Sequence, residues 1–218
     1  MQLSQSEENY IKAIYSLEQE SDTVSTNDLA ERLKTKASSV TDMIKKLAEK
    51  NLLEYIKYKG CKLTRTGEKI ALKTIRKHRL WETFLVEKLG FGWDEVHPIA
   101  EQLEHIRSIE LTDKLDKFLN FPKYDPHGDP IPDKDGNIPK LESSCYLNDL
   151  PVNKSGIVIG VSDASPTFLR YLDSQNIGLG TEVKMIEVFE FDNSCHIEIK
   201  NKSINLSATA ASKLTIQF

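Results

Sequence analysis

The chain has 218 residues, 39% of them hydrophobic, and carries 29 Lys and Arg against 33 Asp and Glu, for a formal net charge of −4. This composition excludes a chain that is disordered throughout. Three widely spaced cysteines indicate a reducing compartment and no disulfide framework. No apolar run approaches the roughly 18 residues of a membrane span, and polar residues follow Met1, so we expect a cytoplasmic protein with neither membrane segment nor signal peptide.

The net acidity argues against a nucleic-acid partner, but the charge is unevenly distributed. Residues 34–79 contain fourteen basic and four acidic residues, a local charge of +10. A basic block of this kind is typical of contact with nucleic acid, although a solvated helix surface can also produce one.

The N-terminal part of the chain has the pattern of a winged helix-turn-helix. Apolar spacing predicts an amphipathic helix over residues 6–18, a short helix near 25–33 and a longer helix from Ser38 to about Asn51. Alternating residues 52–58 and 61–64, separated by Lys59 and Gly60, predict a hairpin. The second helix of such a motif enters the major groove of DNA and the hairpin meets the backbone, whereas the alternative is a winged helix that contacts only protein.

The residues expected to contact double-stranded DNA lie in these two elements. The start of the second helix would face base edges and phosphates, and the wing would meet phosphates. The candidates are Lys36, Ser38, Ser39, Thr41, Asp42 and Lys45 in the helix region, and Lys57, Lys59 and Lys62 in the wing.

The rest of the chain reads as helices, then a Pro-rich segment, then strands. Helices are predicted over residues 66–89, Pro98–Ser108 and Thr112–Leu119, with more apolar positions than a small domain buries, so we expect a homodimer. Short strands at 156–161, 181–188, 196–200 and 214–216 around one helix at 167–172 predict a small antiparallel β-barrel.

The predicted fold class is therefore mainly α with β. The predicted domains lie at 1–70, 71–122 and 151–218, with a Pro-rich linker at 123–150.

A set of imidazoles and carboxylates in the middle helices points to a metal. His97, Glu101, Glu104 and His105 occur at i, i+4, i+7 and i+8, which predicts that all four share one face of a single helix. His78 and Glu82 form a further i, i+4 pair on the preceding helix. Together they could hold a divalent transition metal, whereas a solvated acidic face with structural histidines is the alternative.

These motifs together resemble the diphtheria toxin repressor family of metal-dependent repressors. The resemblance covers nearly the whole chain and rests on the winged helix with Arg76–Glu82, Glu95–His97, Glu101–His105 and Asn120–Pro132. It implies a three-domain repressor whose C-terminal domain is SH3-like. It also implies two metal sites per subunit: an ancillary site of His78, Glu82, His97 and, from the third domain, Asp163; and a primary site of Asn9, Glu101, Glu104 and His105.

Two positions bear on the choice of metal. Glu101 stands where the iron-responsive branch of the family has Cys or Met and the manganese regulators have Glu. Lys12 replaces an acid that helps two-domain manganese regulators to build a binuclear pair, so that arrangement is not expected here. The oxygen and nitrogen donors suit Mn(II) or Fe(II), and we favour Mn(II).

The sequence therefore predicts a metal-activated transcriptional repressor that controls metal-uptake or metal-homeostasis genes and binds a palindromic operator as a dimer. It is not expected to be an enzyme. The alternative is a metal-dependent hydrolase that uses the same His/Glu cluster, but this would leave the basic block unexplained and lacks a separate nucleophile. A third hypothesis is a scaffold whose SH3-like domain binds a Pro-rich segment, such as its own linker.

Overall fold

A computed structural model describes residues 2–56, 60–139 and 144–218. The chain forms two compact units. The first comprises Met1–His78, Glu101–Ile109 and Pro132–Asn137, and the second comprises Arg79–Ala100, Glu110–Ile131 and Ile138–Phe218. The boundary thus falls within the fourth helix, between His78 and Arg79. Among the described residues, no helix has the length and apolar character needed to cross a membrane.

The predicted winged helix-turn-helix is confirmed in the first unit. It consists of α1 (Gln5–Glu18), α2 (Thr26–Arg32), α3 (Ala37–Glu49), β1 (Leu53–Ile56) and β2 (Gly60–Leu63). Both α1 and α2 are preceded by a serine whose side chain accepts a hydrogen bond from the backbone amide of the third helical residue. The acidic side chain of that third residue in turn accepts a hydrogen bond from the backbone amide of the serine. These capping boxes fix where the two helices start.

Helix α3 is anchored by one apolar face. Val40, Ile44 and Leu47 are at most 2% exposed and belong to the same core cluster as Ile11 and Ile14 of α1. Burying each such side chain contributes about 1.5–3 kcal/mol. The packing of this face leaves the opposite face of α3 exposed to solvent.

The wing is attached to the chain just before α2. Strands β1 and β2 pair antiparallel from Leu53↔Leu63 to Ile56↔Gly60, and Val24 exchanges two 3.0 Å backbone hydrogen bonds with Cys61. Gly60 has φ +118°, and a Cβ there would lie 2.2 Å from the carbonyl oxygen of Val24. Only glycine allows this close approach.

Three helices follow the wing: α4 (Arg65–Leu89), α5 (His97–Leu103) and α6 (Ile109–Phe118). The prediction of one helix from Pro98 to Ser108 is wrong. Helix α5 ends at Leu103, because the amide of Ile106 bonds to the carbonyl of Leu103 in a tight turn instead of extending the helix. Glu104 and His105 therefore lie in a turn, and they do not share a helix face with His97 and Glu101.

The second unit contains the predicted antiparallel β domain. Its six strands are β3 (Ser144–Tyr146), β4 (Ser155–Val161), β5 (Glu182–Val188), β6 (Cys195–Ile199), β7 (Lys202–Leu206) and β8 (Leu214–Gln217). They follow the order β3-β8-β4-β5-β6-β7, with every pair antiparallel. Two short helices, α7 (Pro166–Ser174) and α8 (Ala208–Ala211), complete this part, which has its own apolar core.

Part of the segment predicted to be an irregular linker is ordered. Residues 144–149 form β3 and a short 3-10 helix, and β3 pairs with β8. Earlier in the segment, the amide of Val161 on β4 donates to the carbonyl of His127 at 2.9 Å. Gly128 has φ +88°, and a Cβ there would lie 2.1 Å from the carbonyl oxygen of Ile159. The β domain therefore packs against the Pro-rich segment of its own chain.

Candidate metal centres and DNA-binding face

Three buried side chains of the second unit meet beside α4. Glu82 lies on α4, and Asp125 and His127 lie in the Pro-rich segment after α6. One ligand atom from each of the three lies within 4.8 Å of the other two, and none of the three residues is more than 4% exposed. We call this group the Glu82 cluster. It joins one predicted ligand to two residues that were not predicted to bind metal.

The ring of His127 is held in one orientation. Its Nε2 lies 2.8 Å from the carbonyl oxygen of Trp93, to which it donates, and its Nδ1 lies 3.7 Å from Oε2 of Glu82. Burial opposes the charged ring, but the Glu82 carboxylate outweighs burial and raises the pKa of His127 to about 9. Nδ1 is thus the nitrogen that faces the carboxylates and could bind a metal after losing its proton.

Asp125 carries an unsatisfied buried oxygen. Its Oδ1 accepts the amides of His127 at 2.8 Å and Asp129 at 2.9 Å, whereas Oδ2 has no hydrogen-bond partner among the described residues and lies 3.7 Å from Nε of Arg79. Burial and the neighbouring carboxylates of Asp129 and Glu82 raise the pKa of Asp125 to about 7. An orphaned carboxylate oxygen beside a second carboxylate and an imidazole is satisfied by a bound cation, so the Glu82 cluster fits a divalent metal.

The predicted ancillary ligands are placed as follows. His97 Nδ1 lies 3.1 Å from Oε1 of Glu82, and the His97 side chain is half-exposed. His78 lies one turn before Glu82 on α4. Asp163 does not belong to the Glu82 cluster, and its carboxylate instead binds Lys213 and accepts a hydrogen bond from the amide of Ser165.

A second group of charged side chains surrounds Glu104 in the first unit. Glu104 is fully buried, and its Oε2 lies 2.6 Å from Nδ1 of His78. The ammonium of Lys12 lies 2.7 Å from both oxygens of Glu104 and 3.7 Å from Oε1 of Glu101. We call this group the Glu104 cluster; its members are Glu8, Lys12, His78, Glu101, Glu104 and His105.

Helix α1 contributes Glu8 as well as Lys12 to the Glu104 cluster. Nδ1 of His105 lies 2.6 Å from Oε2 of Glu8, and Nε2 of His105 lies 3.8 Å from Oε1 of Glu104. The predicted α1 ligand, Asn9, is exposed instead. The structure therefore brings together Glu101, Glu104 and His105 of the predicted primary site and adds Glu8.

The Glu104 cluster already holds a cation, the ammonium of Lys12. Burial alone would raise the pKa of Glu104, but the hydrogen bond from His78 and the charge of Lys12 lower it below its usual value. Glu104 is thus an ionised carboxylate in a buried position, and the Lys12 ammonium stands where a cation is needed. The donors are oxygen and nitrogen atoms, which suit Mn(II) or Fe(II).

The predicted DNA contacts lie on the outer face of the winged helix. Lys62 on β2 is exposed, whereas Lys57 and Lys59 lie outside the described residues. The candidates at the start and on the outer face of α3 are all exposed: Lys36, Ser38, Ser39, Thr41, Asp42 and Lys45.

Three carboxylate or imidazole side chains of the two clusters were missed by sequence reasoning: Glu8, Asp125 and His127. A signal was present for each of them. Glu8 precedes Lys12 by one helical turn, so both side chains share a face of α1. Asp125 and His127 are two residues apart in a Pro-rich segment, and an acid and an imidazole at this spacing can point to the same site.

Three family models match successive parts of the chain. Residues 2–61 match the family model of the iron dependent repressor N-terminal DNA binding domain, and residues 64–133 match that of the iron dependent repressor metal binding and dimerisation domain. Residues 145–217 match the FeoA domain. The three models together cover most of the chain.

Individual relatives are named as repressors or transcriptional regulators. The chain is 37% identical over 125 residues to the iron-dependent repressor IdeR of Mycobacterium leprae, a match that covers 57% of this chain and 54% of IdeR, about half its length. It is 31% identical over 148 residues to the transcriptional regulator MntR of Oceanobacillus iheyensis, covering 68% of this chain and 94% of MntR. A solved manganese-dependent transcriptional repressor in complex with manganese superposes with a TM-score of 0.86 at 38% identity, covering 97% of this chain and 99% of that one.

The three matched domains, the near-complete coverage of MntR and the full-length structural match agree with the resemblance carried by the sequence motifs. The chain belongs to the diphtheria toxin repressor family of metal-dependent transcriptional repressors.

Proposed function

We propose that this protein is a cytoplasmic, homodimeric repressor that binds a palindromic operator when Mn(II) or Fe(II) is bound and thereby controls genes of metal uptake. The observation that carries the proposal is the contact between α1 of the winged helix and the turn after α5. Glu8 and Lys12 of α1 meet His105 and Glu104 in the Glu104 cluster, whose carboxylates hold a cation. A metal site that includes α1 can act on the DNA-binding domain directly.

The DNA-contacting part follows from the exposed face of α3. Ser38, Ser39 and Lys45 lie on the side opposite the buried Val40 and Ile44, so the core holds the helix while its polar side chains reach the major groove. The lysines neutralise phosphates and supply affinity, whereas the short polar side chains near the helix start read base edges.

The two clusters would form two metal sites in each subunit. Glu101, Glu104 and His105 would hold one ion, with the His105 ring oriented by Glu8 from α1, and Glu82, Asp125 and His127 with His97 would hold the other. A bound divalent ion supplies positive charge that joins carboxylates from separate segments. The bond between Glu8 and the metal-bound His105 thereby fixes α1 to the turn after α5, which restricts the orientation of the winged helix to one that suits DNA.

The donor chemistry favours Mn(II). The Glu82 cluster contains only carboxylates and an imidazole. The Glu104 cluster likewise contains no thiol, and Glu101 supplies an oxygen. Sulfur ligands would favour softer metals, whereas an oxygen-rich set suits Mn(II) and accepts Fe(II).

Exposed apolar side chains of the second unit support a homodimer. Phe118 on α6 is 60% exposed and Phe121, just after it, is 64% exposed, with Leu111 on the same helix also exposed. A second copy of the chain would cover this surface, and a two-fold dimer would present two winged helices to a palindromic operator. The proposed division of roles follows the predicted domains: residues 1–70 bind DNA, 71–122 dimerise and bind metal, and 151–218 form the SH3-like domain after the linker.

The hydrolase alternative gains no support from the relatives, which are repressors with a DNA-binding domain. The discriminating experiment is a gel shift with a duplex from the promoter of a metal transporter, in chelator and with Mn(II), Fe(II), Co(II) or Zn(II). We expect a shift with Mn(II) or Fe(II) and none in chelator. The same assay with Glu104→Gln, which keeps the shape but removes the charge, should lose the response; binding of equal strength in chelator would overturn the proposal.

A further inference from the structure

The ammonium of Lys12 occupies the centre of the Glu104 cluster. It lies 2.7 Å from each oxygen of Glu104 and 3.7 Å from Oε1 of Glu101, and the Lys12 side chain is only 17% exposed. Both oxygens of a fully buried carboxylate in the turn after α5 are thus bonded by one lysine of α1. These are oxygens that a metal ion at this site requires.

We propose that Lys12 is an intramolecular competitor of the metal and determines the affinity of the Glu104 cluster for divalent cations. In the metal-free chain its ammonium neutralises Glu104 and Glu101, and a metal must displace it to reach the same oxygens. This inference rests on the proposed function only in that the Glu104 cluster binds metal.

The competition follows from charge and from geometry. Two cations on the same carboxylate oxygens repel each other strongly in a buried position, so the ammonium and a divalent ion do not share the site. Lys12 can leave, because its charge sits at the end of a flexible four-carbon stem, whereas Glu104 is fixed by burial and by His78. Metal binding must break the two charge-assisted hydrogen bonds from Lys12 to Glu104. This cost raises the metal concentration at which the Glu104 cluster is occupied.

The chain offers a matched control. Lys50 lies 2.5 Å from Oε1 of Glu7, a residue of α1 that is 2% exposed, and the Lys50 side chain is 27% exposed. This pair has nearly the same chemistry and burial as Lys12 and Glu104, but Glu7 and Lys50 belong to neither cluster. Replacing Lys50 therefore removes a comparable ion pair without freeing a metal ligand.

The first experiment measures Mn(II) binding to the metal-free full-length chain from the electron paramagnetic resonance signal of free Mn(II). Wild type, Lys12→Met and Lys50→Met are compared. We expect one of the sites in Lys12→Met to bind Mn(II) at least about tenfold more tightly, because the metal no longer displaces the two charge-assisted hydrogen bonds of Lys12, and Lys50→Met to bind as wild type does. Unchanged or weaker binding by a folded Lys12→Met variant overturns the inference.

A second measurement needs no variant. An amine-acetylating reagent is added to the wild-type chain with and without Mn(II), and the modification of each lysine is followed by mass spectrometry. We expect the rate at Lys12 to rise several-fold when Mn(II) is bound and the rate at Lys50 to stay constant.

The outcomes separate this inference from the proposed function. If Mn(II) drives DNA binding while Lys12 stays protected, Lys12 is a permanent structural cation, and the competition is refuted although the repressor function stands. If Mn(II) neither binds nor affects DNA binding, both are refuted.

Discussion

Nδ1 of His105 lies 2.6 Å from Oε2 of Glu8, although the two residues are 97 positions apart in the chain. The contact joins α1 of the winged helix to the turn after α5. It also leaves Nε2 of His105 on the side of Glu104, 3.8 Å from Oε1. A carboxylate that accepts from one imidazole nitrogen orients the ring and makes the other nitrogen a better metal ligand.

Replacing Glu8 should therefore weaken metal binding. We expect Glu8→Ala to lower the Mn(II) affinity of one site by about 10–100-fold, the usual effect of losing a residue that orients a ligand, and Glu8→Gln to have a smaller effect because its amide oxygen can still accept. Isothermal titration calorimetry on the metal-free protein measures this. Glu20→Gln, at an exposed carboxylate just after α1, is the control, and equal affinities in Glu8→Ala and wild type would contradict the role of Glu8.

Lys45 on the exposed face of α3 should act through phosphate. We expect Lys45→Ala to weaken binding to all DNA sequences and to reduce the slope of log affinity against log salt by about 1. Fluorescence anisotropy over a salt series measures the slope. Lys154→Ala, at an exposed lysine of the β domain, should leave it unchanged; a loss confined to one DNA sequence would indicate base readout instead.

Glu7 should stabilise the winged helix at neutral pH. Burial would raise its pKa, but hydrogen bonds from Lys50, the Ser4 amide and Lys46 outweigh burial and lower the pKa to about 2. Since the folded-state pKa is below the ordinary value of 4.5, this stabilisation is present above pH 4.5 and is lost as the pH falls towards 2. We expect Glu7→Gln to cost about 1–2 kcal/mol at pH 7.

Urea unfolding of the metal-free protein at several pH values tests the sign. The difference in unfolding free energy between wild type and Glu7→Gln should shrink below pH 4.5. A difference that grows as the pH falls would show that Glu7 is not held ionised by its lysines.

Glu18 should behave in the opposite way. Its carboxylate accepts the amide of Leu63 on β2 at 2.6 Å, but burial raises the pKa of Glu18 above its ordinary value. A raised folded-state pKa gives stability that is present below pH 4.5 and is lost as the pH rises through the folded value. We expect Glu18→Gln, whose amide oxygen can accept the same bond, to be more stable than wild type at pH 7 by less than about 1 kcal/mol, because solvent screens a half-buried charge.

The same urea series measures this effect, and the gain should vanish near pH 4.5. A Glu18→Gln variant that is less stable than wild type at pH 7 would show that the charge strengthens the bond to Leu63 more than its burial costs.

Local patterns were enough to predict most of the elements. The apolar spacing of Val40, Ile44 and Leu47 predicts α3 because one face of a helix repeats every three to four residues, and the structure buries these three positions. Strand β7 was missed because the turn that precedes it was not recognised. Lys200 and Asn201 both have positive φ and form the two-residue loop of a tight hairpin between β6 and β7.

The clusters could be predicted only in part, because they join distant segments. Glu104 and His105 continue the helical spacing of His97 and Glu101, and nothing in that spacing shows that the helix ends at Leu103. The partnership of Glu82 with His127 spans a Pro-rich segment whose path is set by Gly128 against Ile159. The spacing of acids and imidazoles predicted Glu101, Glu104 and His105 as candidate ligands and the family motifs assigned them to one site, whereas Glu8 required the position of α1.

In the proposed mechanism, metal binding and DNA binding are coupled through α1. Coupling between two ligands is reciprocal, so operator DNA must raise the affinity for metal by the same factor by which metal raises the affinity for operator. The direct measurement is the Mn(II) affinity of the wild-type protein with and without saturating operator duplex. We expect the duplex to tighten Mn(II) binding by about 5–150-fold, the usual range of allosteric coupling; identical Mn(II) affinities in both conditions would contradict the account.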